Sequence, residues 1–451
     1  MSTRVRLTTL LAVLTLLAAA CLPGGQDTAD EDAEGAAEPT TAEEETAETA
    51  EPAEGDELLV WDIYVRGVEN DVAEQLTTEF EEEHGVTVTR EPRNLDDLKA
   101  TLPLAMGQAD GPDVASVNQG LADMGAMVEA GVLMDLTDYG QQQGWFDTWG
   151  ENLLSRSMFS EDGSEFGSGN LYGVAPQAEL VGWFYNRDKF AEHGLEPPTT
   201  FDELETLLAD LKEAGETPIT FGNLDAWPAI HTYGAVEHTL VDTAYLDDVI
   251  FGRGDATFDR PENVEAAQIV QRWVDEGYFT ENFSGIGYDD SWAQFAAGEG
   301  ALMLTGTWIA GELDAEQFGF FLTPGPDGQL PPQTGGMGVP LAVRADTEVP
   351  DLARAYVDWM TSERAAELWT QAWLPTRTPP AAAVEESPLM GDLVTAWDEV
   401  IGAGQLGHYL DWATPTFYDT ITAQLQSLLA GDTAPEEFVD ALEADYAGSR
   451  Q

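Results

Sequence analysis

The stretch "ELLVWDIYV" (Glu57 to Val65) is an apolar run broken by Asp62, the pattern of a buried strand. After it, Val72, Leu76 and Phe80 recur every four residues and Gly85 follows, which predicts a helix that stops at the glycine. "VTVTRE" (Val86 to Glu91) alternates apolar and polar, as a second strand does. A further helical stretch reaches about Met106, and "GPDVASVNQG" (Gly111 to Gly120) encloses a short third strand. Strands alternating with helices predict a parallel sheet with crossover helices.

A second α/β region follows Tyr172. Its clearest element is a helix from Phe201 to Ala214, with Leu204, Leu207, Leu208 and Leu211 at i, i+3, i+4 and i+7. Thr200 is placed to cap it, Glu203 completes a capping box, and Gly215 ends it. Leu352, Ala355, Tyr356 and Trp359 repeat the helical spacing later in the chain. At 451 residues, two lobes are the expectation, and no internal repeat suggests a solenoid.

The N-terminus follows another pattern. Arg4 and Arg6 precede an apolar run from Leu7, and Ala18, Ala19 and Ala20 lead into Cys21, the sole cysteine. A basic head, a short apolar run and small residues make a secretory signal over residues 1–20. The run is shorter than the ~20 residues a membrane-spanning helix needs. A cysteine directly after the cut is the pattern of a bacterial lipoprotein, although Ala18 stands where leucine is usual. A single cysteine rules out an intramolecular disulfide. Residues 21–56, rich in Ala, Glu, Thr, Pro, Gly and Asp, cannot bury enough apolar surface to fold and read as an acidic, extended tether.

Charge narrows the partners. With 84 acidic against 18 basic side chains the net charge is −66, spread over the whole chain. Phosphate binding needs basic patches, so nucleic acid is not an expected partner. Self-repulsion of this size destabilises a compact state at low salt. At about 1 M salt the Debye length falls to roughly 3 Å, so a saline, halophilic setting is expected.

Four stretches carry a family resemblance: "GQADGPDVASVN" (Gly107 to Asn118), "LYGVAPQAELVGWFYNRDKFAEHGLEPPTTFDEL" (Leu171 to Leu204), "FAAGEGALMLTGTW" (Phe295 to Trp308), and the pair "TGGMGVPLAV" (Thr334 to Val343) and "QAWLPTRTPP" (Gln371 to Pro380). In this order and spacing they resemble the family 1 extracellular solute-binding proteins of ABC importers, which include the maltose- and oligosaccharide-binding proteins. The resemblance covers Leu58 to about Tyr446. It implies the periplasmic-binding-protein-like α/β fold: two α/β lobes joined by crossing strands, with a ligand cleft between them. The expected split is 57–177 with 322–360 for one lobe and 178–321 with 361–451 for the other. It further implies a monomer without cofactor, held at the outer face of the cell membrane by lipid on Cys21 and delivering a carbohydrate to importer permease subunits.

A sugar offers an apolar ring face and a rim of hydroxyls, so its site needs flat aromatic rings with carboxylates, amides or arginine beside them. The resemblance places such residues at Tyr64 and Arg66 beyond the first strand, at Asn118 or Gln119 after "PDVASV", and at Glu179 near the lobe junction. It adds Trp227, Asp290, Trp292 and Trp308, the close backbone of Gly335, Gly336 and Met337, and Trp373 with Arg377 around "LP". Each tryptophan is also a candidate for the core. The five histidines are scattered and no zinc or nucleophile motif accompanies them, so no metal site or catalytic residue is expected. Two alternatives stay open: an extracellular carbohydrate-active enzyme, whose carboxylate pair this acidic chain would hide, and a polyamine receptor of the same fold.

Overall fold

The computed structural model describes residues 55–378, 381–385 and 387–450. The expected signal segment, Cys21 and nearly all of the expected tether lie outside the described residues. Two sheets organise the rest. In the first, β1 (Glu57–Asp62), β2 (Thr87–Pro92) and β3 (Val114–Ser116) are parallel, connected through helices α1 (Gly67–His84) and α2 (Leu95–Ala105). Helix α1 buries the expected Val72, Leu76 and Phe80, and Gly85 closes it in the left-handed conformation at φ 69°. Asn94 caps α2 by accepting from the Asp97 N–H at 2.8 Å.

The second sheet is built on β4 (Ala178–Asn186), whose residues are nearly all buried. It pairs antiparallel with β5 (Leu302–Gly306), β6 (Phe318–Phe321) and β7 (Gln333–Met337). Around it lie α3 (Phe201–Ala214), α4 (Pro228–Glu237) and α5 (Tyr288–Ala296). Helix α3 has the predicted Thr200 cap, accepting from the Glu203 N–H at 3.2 Å, and buries all four leucines. All ten residues of α4 are buried, so it is a core helix rather than an amphipathic one.

From β7 the chain crosses directly into β8 (Leu341–Val343), which is antiparallel to β3 in the first sheet. Beside this crossing runs a second, with Val174 bridging Leu341 and Gly338 donating to the Gln177 carbonyl at 2.8 Å. A third passes Leu374, whose carbonyl accepts from the Ala178 N–H at 2.8 Å. Three adjacent crossings join the two lobes.

Further on, α6 (Pro350–Met360) covers the first sheet, with Tyr356 Oη 2.9 Å from Thr77 Oγ1 and the Trp359 indole donating to the Leu76 carbonyl. Helix α7 (Glu363–Trp369) also docks on α1, through Arg364 paired with Glu79 at 2.8 Å. The final strand, β9 (Leu406–Gly407), lies parallel to β7. The strand and helix positions thus differ from the expected split: β7 belongs to the second sheet although it lies within 322–360, and α7 packs on the first lobe although it lies beyond 360. Local periodicity says nothing about which sheet a strand joins. Among the described residues no helix is long and apolar enough to cross a membrane.

Candidate ligand-binding cleft

Between the lobes lies a cavity of about 540 Å³, within the range of small-molecule sites. Its walls come from the carboxyl ends of the first sheet's strands, from β4, and from turns flanking α4, α5 and β9. Open α/β sheets place ligands beyond strand carboxyl ends for this geometric reason.

Aromatic rings form one wall. Trp227 stands immediately before α4, and the residue ahead of it, Ala226, is held at φ 67°, a left-handed conformation that non-glycine residues rarely adopt. Its ring lies 4.4 Å from that of Tyr288 and 6.2 Å from that of Trp308. Trp308 follows β5 and donates its indole N–H to Tyr288 Oη at 2.5 Å, while that hydroxyl contacts Thr305 Oγ1 at 2.9 Å. A Cβ on Gly306 would come within 1.9 Å of the Trp308 ring, so only glycine there leaves the platform its place.

His231, one turn after Trp227, sits 5.5 Å from the Tyr409 ring and 5.6 Å from that of Trp308. Burial lowers its pKa to about 3, so the imidazole is neutral. Glu179, from β4, is only 7% exposed and accepts from Tyr409 Oη at 2.8 Å. Burial pushes its carboxyl up to about 8. Half-buried Asp411 is raised to about 6 by burial, partly offset by the charge of Lys99. Two cations reach across the mouth: Arg66 lies 3.6 Å from Asp289, and Lys99 sits 3.8 Å over the Tyr418 ring and 3.3 Å from Asp123.

Of the residues singled out in the sequence, Arg66, Asn118, Glu179, Trp227, Asp290, Trp308 and Trp373 line this cavity. Seven do not. Tyr64 is fully buried, donating to Gln177 Oε1 at 3.2 Å and touching the Trp369 ring, because β1 ends at Asp62 and the alternation that would pair Tyr64 with Arg66 ends with it. Gln119 is 2% exposed and binds the carbonyls of Met337 and Gly338 at 3.0 and 2.9 Å, bracing a crossing strand, while its neighbour Asn118 faces the cavity.

Trp292 donates to Asp289 Oδ1 at 2.8 Å without lining the cavity. Gly335, Gly336 and Met337 are inside β7; a Cβ on Gly335 would meet the Glu179 carbonyl at 2.3 Å, and one on Gly336 would meet Arg156 Cδ at 2.8 Å. Gly335 thus permits close strand packing and Gly336 leaves room for the Arg156 side chain. Arg377 donates to the Thr361 carbonyl at 2.5 Å and covers the Trp149 ring.

Sequence reasoning missed His231, Tyr288, Tyr409, Asp411 and Trp412. The spacing of Trp227 and His231, four apart on one helix, could have found His231. Tyr409 and Trp412 follow a two-residue strand, too short to show a period.

Two α/β lobes, three crossings and an aromatic cleft between them define a bilobed solute receptor. The comparisons agree, and the chain belongs to the bacterial extracellular solute-binding proteins, whose family model matches residues 75–397. That family consists of receptors, not enzymes. One relative is the multiple sugar-binding protein of Streptococcus mutans, 24% identical over 209 residues, which are 44% of this chain and 49% of that protein. The chain thus spans about half of that relative's length. The maltodextrin-binding protein MdxE of Bacillus subtilis is 23% identical over 69% of this chain and 71% of its own. Among solved structures, a chitin oligosaccharide binding protein superposes with a TM-score of 0.74 at 21% identity, over 88% of this chain and 99% of its own, a likeness in fold.

Proposed function

We propose that this chain is a receptor that captures a carbohydrate in the inter-lobe cleft and hands it to an ABC importer. The observation that carries the reading is the wall of Trp227, Trp308 and Tyr288 facing the acceptors Glu179 and His231 in one cavity. Flat rings suit the apolar face of a sugar ring, and the acceptors suit its hydroxyls. The names of the streptococcal and bacillar relatives and of the chitin oligosaccharide binding protein support the same solute class. Solute that touches both lobes favours the closed arrangement and shifts a population between closed and open forms. No bond in the solute changes.

The proposal includes the anchor. Acylated Cys21 and the acidic tether would hold a monomeric receptor near its permease on the outer face of the membrane, where two acyl chains hold stably and one does not. The charge of −66 suits a saline setting. A thermal-shift screen of neutral mono- and oligosaccharides and polyols at molar salt tests the reading. A sugar that raises Tm in the intact protein, and not in Trp308→Ala, supports it. A protein that responds to no sugar or polyol overturns it.

A further inference from the structure

The cleft is unevenly supplied with hydrogen-bonding groups. Seven carboxylates line it, Asp96, Asp97, Glu179, Asp225, Asp289, Asp290 and Asp411, against two cations. Both cations are already engaged: Arg66 with Glu69 and Asp289, and Lys99 with Asp123 and the face of Tyr418. An acidic rim alone is ordinary in so acidic a chain. The interior is more telling. His231 is about nine-tenths buried and lines the cavity, and among the described residues neither ring nitrogen has a hydrogen-bond partner. Glu179 is 7% exposed, and one carboxyl oxygen is held by Tyr409 while the other, Oε2, has no donor among the described residues.

Asp96 approaches from the first lobe; burial raises its pKa, the charge of Lys99 partly offsets this, and the charges of Asp225 and Asp289 on the second lobe raise it. The two lips therefore repel each other when the lobes are together. Among the described residues no three His, Cys, Asp or Glu side chains converge closely enough to hold a metal ion. The acceptors are instead spread along a cleft walled by aromatic faces, and such faces also attract organic cations.

Resting on the reading of the cleft as a carbohydrate site, we propose that its solute is an aminated sugar, with at least one free ammonium group among its hydroxyls. The rings of Trp227 and Trp308 take the sugar faces. Glu179 releases its proton to solvent as the ammonium group arrives, so that Oε2 accepts from that group, and the His231 imidazole accepts from an adjacent N–H or O–H. The positive charge of the solute also offsets the repulsion between Asp96 and the Asp225–Asp289 lip. An N-acetylated sugar keeps the ring and most hydroxyls and loses that charge.

Calorimetric titration at 1 M salt separates the possibilities with four probes: a glucosamine tetramer, the N-acetylated tetramer, a maltotetraose and spermidine. The glucosamine tetramer should bind at least about tenfold more tightly than either neutral tetramer, since a hydrogen bond to a charged group is worth about tenfold or more. Glu179→Gln, matched in shape, should reduce that preference to near parity. Asp411→Asn, at a less buried carboxyl than Glu179, should reduce it less. Neutral tetramers binding as well as the aminated one would overturn the amine and leave the carbohydrate reading standing. Spermidine binding with no tetramer bound would overturn both. A preference for the aminated tetramer that survives intact in Glu179→Gln would overturn the assignment of that carboxyl.

Discussion

Replacing Glu179 by glutamine tests whether the cleft floor is an acid that folding keeps protonated. Burial raises its carboxyl from 4.5 to about 8. In the unfolded chain the proton leaves near the ordinary carboxylate value; in the folded chain it stays until near pH 8. Between those limits the folded state binds more protons, so its stability falls as pH rises. At 1.36 kcal/mol per pH unit the loss across that window is about 5 kcal/mol, present in full only above pH 8 and absent below about 4.5. Glutamine fills the same space and never ionises.

The difference in unfolding free energy between the native protein and Glu179→Gln should therefore move in the variant's favour from pH 5 to pH 9. Glu237, also raised to about 8 by burial, is present in both proteins and cancels from the difference. Urea unfolding at constant molar salt, at half-unit pH steps, reads this directly. Parallel stability curves from pH 5 to 9 would refute the reasoning, because they would mean that the carboxyl ionises in the fold as easily as in water.

Other outcomes follow from the same geometry. Gly306→Ala should push the Trp308 ring from its place and weaken solute binding by about tenfold or more in a titration, the loss expected of a central aromatic contact; unchanged affinity would contradict the platform role. Gln119→Leu should lower stability by about 1–3 kcal/mol in urea unfolding, because two buried hydrogen bonds to the Met337 and Gly338 carbonyls disappear. Raising salt from 0.1 to 2 M should raise Tm, since 84 carboxylates face 18 basic groups and the repulsion is screened; a flat or falling Tm would count against charge repulsion as the dominant stress.

Much of this was legible in the sequence, for identifiable reasons. Helix α3 carries four leucines at helical spacing between a threonine cap and a glycine stop, and the fold places every one as the pattern requires. Trp227 and Trp308 were expected from the family resemblance, and both line the cleft. Tyr64, expected from the resemblance, is in the core because β1 ends at Asp62 and the backbone then turns to deliver Arg66 to the start of α1. Tyr409 and Trp412 went unseen because β9 is too short to show a period and because their wall exists only once β9 lies beside β7. The membership of α7 in the first lobe follows from its buried Trp369 packing against Tyr64, two residues far apart in sequence.

The most direct test of a two-lobed receptor that leaves its solute intact is a calorimetric titration with the solute recovered and weighed by mass spectrometry afterwards. The account predicts saturable one-to-one binding at molar salt, solute of unchanged mass, and loss of the binding heat in Trp308→Ala. A shortened or otherwise altered solute, or binding that Trp308→Ala leaves untouched, would contradict it.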